Sequence, residues 1–184
     1  SSFNYFMKYA NELTKSMDFL ARDPRTIFIG QAVEYPGTAM SNTLSEVSKS
    51  KLLELPVCEE MQMGVSLGMA INGYIPVTIF PRWNFLLLSM NQLVNHVDKI
   101  PQISDDKIKC KMIIRTGVGS ERPLHPQHQH IGDFTESFKK ILSNIEVIKL
   151  NNPKDIFKAY KKAYIRKDNK STLIVEVSDY YNEK

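Results

Sequence analysis

Residues 59–80 read EEMQMGVSLGMAINGYIPVTIF, and the fold follows from this stretch. Its first part, Glu59 to Asn72, carries a helical pattern and opens on two carboxylates, which favour the positive end of a helix. Gly73 then stands where a left-handed C-terminal cap is wanted. Tyr74 to Phe80 follows as an apolar run, short enough for a strand and continuous enough to be buried on both faces.

Working outward, the same alternation repeats. Toward the N-terminus, Leu52 to Val57 reads as a short strand, preceded by a polar connection from Gln31 to Lys51 with a short helix around Leu44. Thr26 to Gly30 is a further strand, and Phe6, Ala10, Leu13, Met17 and Leu20 form the apolar stripe of an amphipathic helix before it. Toward the C-terminus come a long helix carrying Phe85, Leu88, Met90, Leu93, Val94 and Val97, and a strand at Lys111 to Arg115. A long loop runs through His130, then a helix from Phe134 to Leu142 and a strand from Ile145 to Leu150. Asn152-Pro153 opens a basic amphipathic helix to Arg166, and Leu173 to Val177 is the last strand. Strands alternating with helices imply right-handed crossovers. The expectation is an α/β fold: one three-layer domain over residues 1–184, with a mostly parallel sheet and helices on both faces.

Composition narrows the function classes. The 24 basic and 20 acidic side chains give a net charge of +4, too mild to require a nucleic-acid partner. The Lys-rich helix at Lys154 to Lys167 is read as a solvated face, with Phe157, Tyr160 and Tyr164 spaced for burial. Apolar stretches such as Phe85-Leu86-Leu87-Leu88 fall far short of the roughly 18 residues of a membrane span. The opening Ser1-Ser2-Phe3-Asn4 has no secretory pattern, and Cys58 and Cys110 are the only cysteines, so a cytoplasmic address is expected.

In an open parallel sheet, ligands sit beyond the carboxyl ends of the strands, which directs attention to four loops. Pro56-Val57-Cys58-Glu59-Glu60 puts two carboxylates at a strand-to-helix junction; they either cap the helix or aim at a ligand. Gly64 and Gly68, four apart on one helix face, would allow close approach of another backbone. Pro81-Arg82-Trp83-Asn84-Phe85 brings two aromatics, which fill core or, in the case of Phe85, stack a flat heterocycle. His125, His128 and His130 crowd one loop; acid–base or substrate contact and a chemically idle loop stand level, with a metal site below both. Thr116-Gly117-Val118-Gly119-Ser120 lacks the residues of a phosphate-binding loop, and Ser66 lies inside a helix rather than on a nucleophile elbow.

The ordered set Pro56-Val57-Cys58-Glu59, Gly64, Gly68, Gly73, Pro76, Asn84-Phe85, Met90-Asn91-Gln92, Asn95-His96, Arg115 and Gln127-His128 resembles the pyrimidine-binding domain of thiamine-diphosphate enzymes. The likeness is greatest to the beta subunit of the 2-oxo-acid dehydrogenase first component, which is related to transketolase. The resemblance implies that Glu59 hydrogen-bonds N1′ of the cofactor's aminopyrimidine, favouring the imino tautomer that removes the thiazolium proton. It implies that Phe85 packs on the pyrimidine and that His128 faces the reacting carbon of the substrate. Glu59 and His128 are thus the catalytic candidates, and Glu59 and Phe85 the cofactor-binding ones.

Several positions depart from the family pattern. Gly30-Gln31-Ala32-Val33 lacks the acidic residues often found after the first strand, Glu60, Met61 and Gln62 replace small or apolar residues, and Arg82-Trp83 replaces Thr and Phe. The metal-binding motif that holds the diphosphate is not supplied by Gly132-Asp133-Phe134. Magnesium and the diphosphate are therefore expected on an alpha-type partner chain, in a hetero-oligomer acting on a small oxo acid or sugar. A transketolase-like sugar transferase half and a non-catalytic interaction domain that kept the fold are the alternatives.

Overall fold

The computed structural model describes residues 8–182. Six strands form one all-parallel sheet in the order β2-β1-β3-β4-β6-β5. In chain order the elements are α1 (Tyr9–Ala21), β1 (Thr26–Gly30), α2 (Ala39–Asn42), β2 (Leu52–Glu54), α3 (Glu59–Ile71), β3 (Ile75–Ile79), α4 (Trp83–Leu86) and α5 (Ile100–Ile103). They continue with β4 (Ile113–Val118), α6 (Thr135–Ile141), β5 (Glu146–Leu150), α7 (Pro153–Ile165) and β6 (Thr172–Val177).

Neighbouring strand residues feed opposite cores, as a period of two requires. Ile113 and Ile174 face the layer of α1 and α7, where Leu13, Met17, Ile156 and Tyr160 are buried. Ile114, Leu173 and Val175 face the opposite layer, with Met63, Trp83, Leu93 and Phe138. The three-layer arrangement thus matches the sequence reading, and Leu13, Met17 and Leu20 are buried on the N-terminal helix as its stripe requires; Phe6 lies outside the described residues.

Some elements differ from the pattern. The segment after β3 is not one regular helix: α4 passes into a 3₁₀ turn at Leu87–Ser89 and then a π-helical stretch at Gln92–Val97. Its buried residues are Trp83, Leu86, Ser89, Leu93 and Val97. Their spacing is three residues as far as Ser89, through α4 and the 3₁₀ turn, and four from Ser89 to Val97, where the backbone widens. Leu88, by contrast, is 60% exposed. The short helix lies at Ala39–Asn42, ahead of Leu44, because Thr38 and Ser41 form a reciprocal capping box there. β4 extends to Val118, beyond the expected Arg115.

One buried cluster joins the sheet to three other segments. Arg115 on β4, fully buried, donates through Nε to Glu176 Oε1 at 2.5 Å and through Nη2 to Oε2 at 3.1 Å. Nη2 also donates to Thr43 Oγ1 at 2.8 Å, tying down the segment after α2. Tyr160 of α7 donates to Glu176 Oε1 at 2.5 Å, and Tyr181 donates to Oε2. Burial, and then the charge of Glu176, hold both phenols well above their ordinary pKa, so they remain donors. Burial alone would lower the Arg115 pKa, but the adjacent carboxylate raises it further still. Gly117 lies in register with Glu176, and a Cβ there would meet Ser178 Oγ at 2.8 Å, so no side chain can intrude.

A second buried carboxylate organises the start of β5. Asp98 accepts from the backbone amides of Ser143, Asn144 and Ile145 and from Lys99 Nζ. Its burial raises the carboxyl pKa, but Lys99 and those amides outweigh it, leaving the group below the ordinary carboxylate range.

Two stability predictions follow from these carboxylates. Glu176→Gln leaves a buried guanidinium uncompensated and should lower the unfolding free energy by about 3–5 kcal/mol. Urea denaturation should show the double variant Arg115→Met/Glu176→Met losing less than this single substitution. For Asp98, a depressed folded pKa gives stability that is present above the unfolded value near about 3.9 and lost as pH falls through the folded one. Asp98→Asn should therefore cost about 1–3 kcal/mol at pH 7 and flatten part of the acid limb of a stability–pH curve.

Candidate active site

The connections from β1 and β3 leave in opposite directions, toward β2 and β4, so their following loops part at the carboxyl edge of the sheet. β1 can lie this close to β3 because Gly30 has no side chain: a Cβ there would meet the Ile79 carbonyl oxygen at 2.7 Å. The loop after β1 is closed by a carboxylate from the neighbouring strand. The backbone amides of Ala32, Val33 and Glu34 donate to the Glu54 carboxylate at 2.6, 2.9 and 2.9 Å.

Glu59 is the first residue of α3 and is only 8% exposed, yet its carboxylate accepts no hydrogen bond from any described residue. The residues after it fix its depth. Gln62 is buried and donates through Nε2 to the Ile29 carbonyl, Thr78 Oγ1 and the Ile79 carbonyl, pinning the helix to β1 and β3 together. Glu60 instead points to the 83–97 segment, where Asn91 Nδ2 and Gln92 Nε2 donate to it. Ser66 donates to the Gln62 carbonyl one turn back, a structural use of its hydroxyl. Gly64 and Gly68 approach no backbone: the nearest atoms to a Cβ at Gly64 belong to the Gln92 side chain, and nothing lies within 4 Å at Gly68.

The loop after β3 separates its two aromatics. Trp83 is fully buried against Phe138 and Phe134, with ring centroids at 4.8 and 6.2 Å. Phe85 stays half-buried, and its ring meets His130 edge-on at 5.5 Å. Arg82 staples the long loop after β4: its Nη1 donates to the carbonyls of Gly119 and His130, both at 2.8 Å. Asn84 Oδ1 accepts from the amide of Gly132 further along the same loop.

Of the three loop histidines, His128 is exposed at the start of a 3₁₀ turn, with its ring 6.4 Å from His125. His130, a member of the cluster to which the resemblance gave no role, is the one packed against Phe85, and its Nδ1 is buried without a partner. Among the described residues no group of three His, Cys, Asp or Glu side chains could hold a metal. Asp133 is already committed, accepting from Thr135 and from Lys149 Nζ.

The arrangement offers a largely enclosed carboxylate with no internal partner at a helix N-terminus and a half-buried aromatic on the next loop of the same sheet edge. That combination suits a flat heterocycle presenting a ring nitrogen to the carboxylate and a face to the aromatic. Glu54 was missed as a site-shaping residue, Gln62 and Arg82 were noted only as departures from the family pattern, and His130 only as one of three loop histidines. The available signal was the presence of charged or amide side chains beside Gly and Pro at strand ends.

Known proteins share this architecture. Chloroplastic pyruvate dehydrogenase E1 component subunit beta-3 of Arabidopsis thaliana is 28% identical over 171 residues, covering 91% of this chain and 40% of its own. A split-gene transketolase, as an inactive beta4 tetramer, shares the fold with a TM-score of 0.71 at 13% identity, over 94% of this chain and 52% of that one. Benzoylformate decarboxylase from Polynucleobacter necessarius does so with a TM-score of 0.66 at 14% identity, over 97% of this chain and 31% of that one. The chain spans 40–50% of the length of curated relatives such as these beta subunits. A family profile described as the transketolase pyrimidine binding domain matches residues 7–182, almost the whole sequence, and the chain belongs to that family.

Proposed function

We propose that this chain is the pyrimidine-binding part of a thiamine-diphosphate-dependent enzyme that decarboxylates a 2-oxo acid or transfers the resulting carbon fragment. The observation that carries this reading is Glu59, a residue only 8% exposed whose carboxylate has no internal partner and keeps an opening to solvent at the start of α3. Its acceptor capacity is unused by the described residues, and an aminopyrimidine ring nitrogen is a fitting partner for it. The chain's similarity to pyruvate dehydrogenase E1 beta subunits favours an oxo acid over a sugar as substrate.

Glu59 would hold a proton at N1′, with Gln62 preventing the helix from shifting along the sheet. Phe85 would orient the pyrimidine and exclude water from one face, while His128, on the exposed turn, would meet the substrate. Thiamine diphosphate, when bound, supplies a carbon nucleophile that attacks a carbonyl. Magnesium and the diphosphate would fall to an alpha-type partner chain in a hetero-oligomer, a reading that rests on the similarity to pyruvate dehydrogenase E1 beta subunits. A cytoplasmic setting is supported by the two unpaired thiols, Cys58 and Cys110; no described helix is long and apolar enough to cross a membrane.

In the complex reconstituted with its partner chain, Glu59→Gln should reduce turnover about 10²- to 10⁴-fold, the range for loss of a general acid–base group. Unchanged turnover would remove Glu59 from the mechanism. Phe85→Ala should weaken thiamine diphosphate by about 0.5–1.5 kcal/mol, read by calorimetry with magnesium present. If the unaltered complex binds no thiamine diphosphate, the chain is instead an interaction domain that kept the fold.

A further inference from the structure

The Arg82 guanidinium is used on one side only. Nη1 is saturated by the carbonyls of Gly119 and His130, which orients the plane of the group. Nε and Nη2 make no hydrogen bond to any described residue, and neither is among the buried unpaired atoms, so this edge opens to solvent. No carboxylate of the described residues lies within 4 Å of Arg82 to form an ion pair. Asp179, whose field does reach it, directs its oxygens to the amides of Glu121 and Arg122.

The Nε/Nη2 edge is the side of a guanidinium that takes a carboxylate or phosphate with two parallel hydrogen bonds. The same molecule displays that use internally, where Arg115 grips both oxygens of Glu176 through Nε and Nη2. At Arg82 an equivalent edge is held in place, has no internal anion and is part-buried, so little ordering entropy remains to be lost on binding. It stands three residues before Phe85, and the His130 whose carbonyl it holds packs on the Phe85 ring.

We propose that Arg82 is a specificity-determining residue that binds the anionic group of an acidic substrate, a carboxylate or a phosphoryl group, through its free Nε/Nη2 edge. This deepens the functional reading above and rests on it for the identity of the site, but the anion contact can be tested by itself. A residue serving only as a loop staple would not distinguish charged from neutral ligands of the same shape.

The test is titration of the full-length protein, followed by amide chemical shifts, with pyruvate, with inorganic phosphate and with acetone as the neutral control. Pyruvate or phosphate should perturb residues around Arg82, Gly119 and His130, and acetone should not. Arg82→Gln keeps an amide donor for the carbonyls but removes the charge, and it should raise the anion Kd about tenfold or more. Arg82→Lys should retain part of the affinity, because the charge remains while the fork is lost. A preference for pyruvate assigns the fork to a carboxylate, and a preference for phosphate assigns it to a phosphoryl group. Equal binding of pyruvate and acetone, or equal anion affinity in Arg82→Gln and the unaltered protein, overturns the proposal. Thiamine diphosphate binding, measured in parallel with Glu59→Gln, fails or succeeds independently, so loss of the cofactor reading is distinguishable from loss of the anion site.

Discussion

The buried contact between Arg115 and Glu176 is the constraint around which the molecule is organised. An isolated charge in a protein interior carries a desolvation penalty of several kcal/mol, so each of these side chains is tolerable only with the other in place. That requirement sets the pairing of β4 with β6, since Arg115 and Glu176 lie two residues apart in register and on one face. It extends further because the pair has more hydrogen-bonding capacity than it satisfies alone. Thr43, Tyr160 and Tyr181 are drawn in to meet part of it, and with them the segment after α2, the helix α7 and the C-terminal turn, while Arg115 Nη1 stays buried without a partner. Tyr9 of α1 adds a layer around this centre, donating to the Leu150 carbonyl and accepting from the Val177 amide.

From this centre the carboxyl edge of the sheet is built by a series of short polar ties rather than by bulk packing. Gln62 spans two strands, Arg82 spans two points of one loop, and Asn84 takes a third. The hydrophobic layers are complete without these ties; their role is to fix where Glu59, Phe85 and the histidine loop stand relative to one another. Rigid support of this kind is what a site needs when its reactive groups come from loops.

The alternation of strands and helices was legible because it is set by periodicity, which neighbouring residues determine among themselves. The Gly73 cap and the apolar run after it belong to that class. The changes of pitch between Trp83 and Val97 were not legible. Leu88 and Met90 look like core residues but are exposed, while Ser89 looks polar yet is buried, donating to the Leu86 carbonyl. Glu59 and Phe85 became candidates through an ordered motif, whereas the packing of His130 on Phe85 depends on Arg82 folding a loop 37 and 48 residues away. The expected close approach at Gly64 and Gly68 failed for a related reason: a small residue permits contact, but only tertiary placement supplies the second surface.

The Glu54 carboxylate cradled by the amides of Ala32, Val33 and Glu34 bears on how such chains should be compared. Along the sequence, Gly30-Gln31-Ala32-Val33 contains no acidic side chain. In three dimensions a negative charge is bound to that very loop, delivered from β2 more than twenty positions downstream. The charge held at that loop is thus set by a residue of the neighbouring strand, not by the loop's own letters. Two sequences can therefore look divergent along their length and still present the same electrostatic surface to whatever approaches the loop.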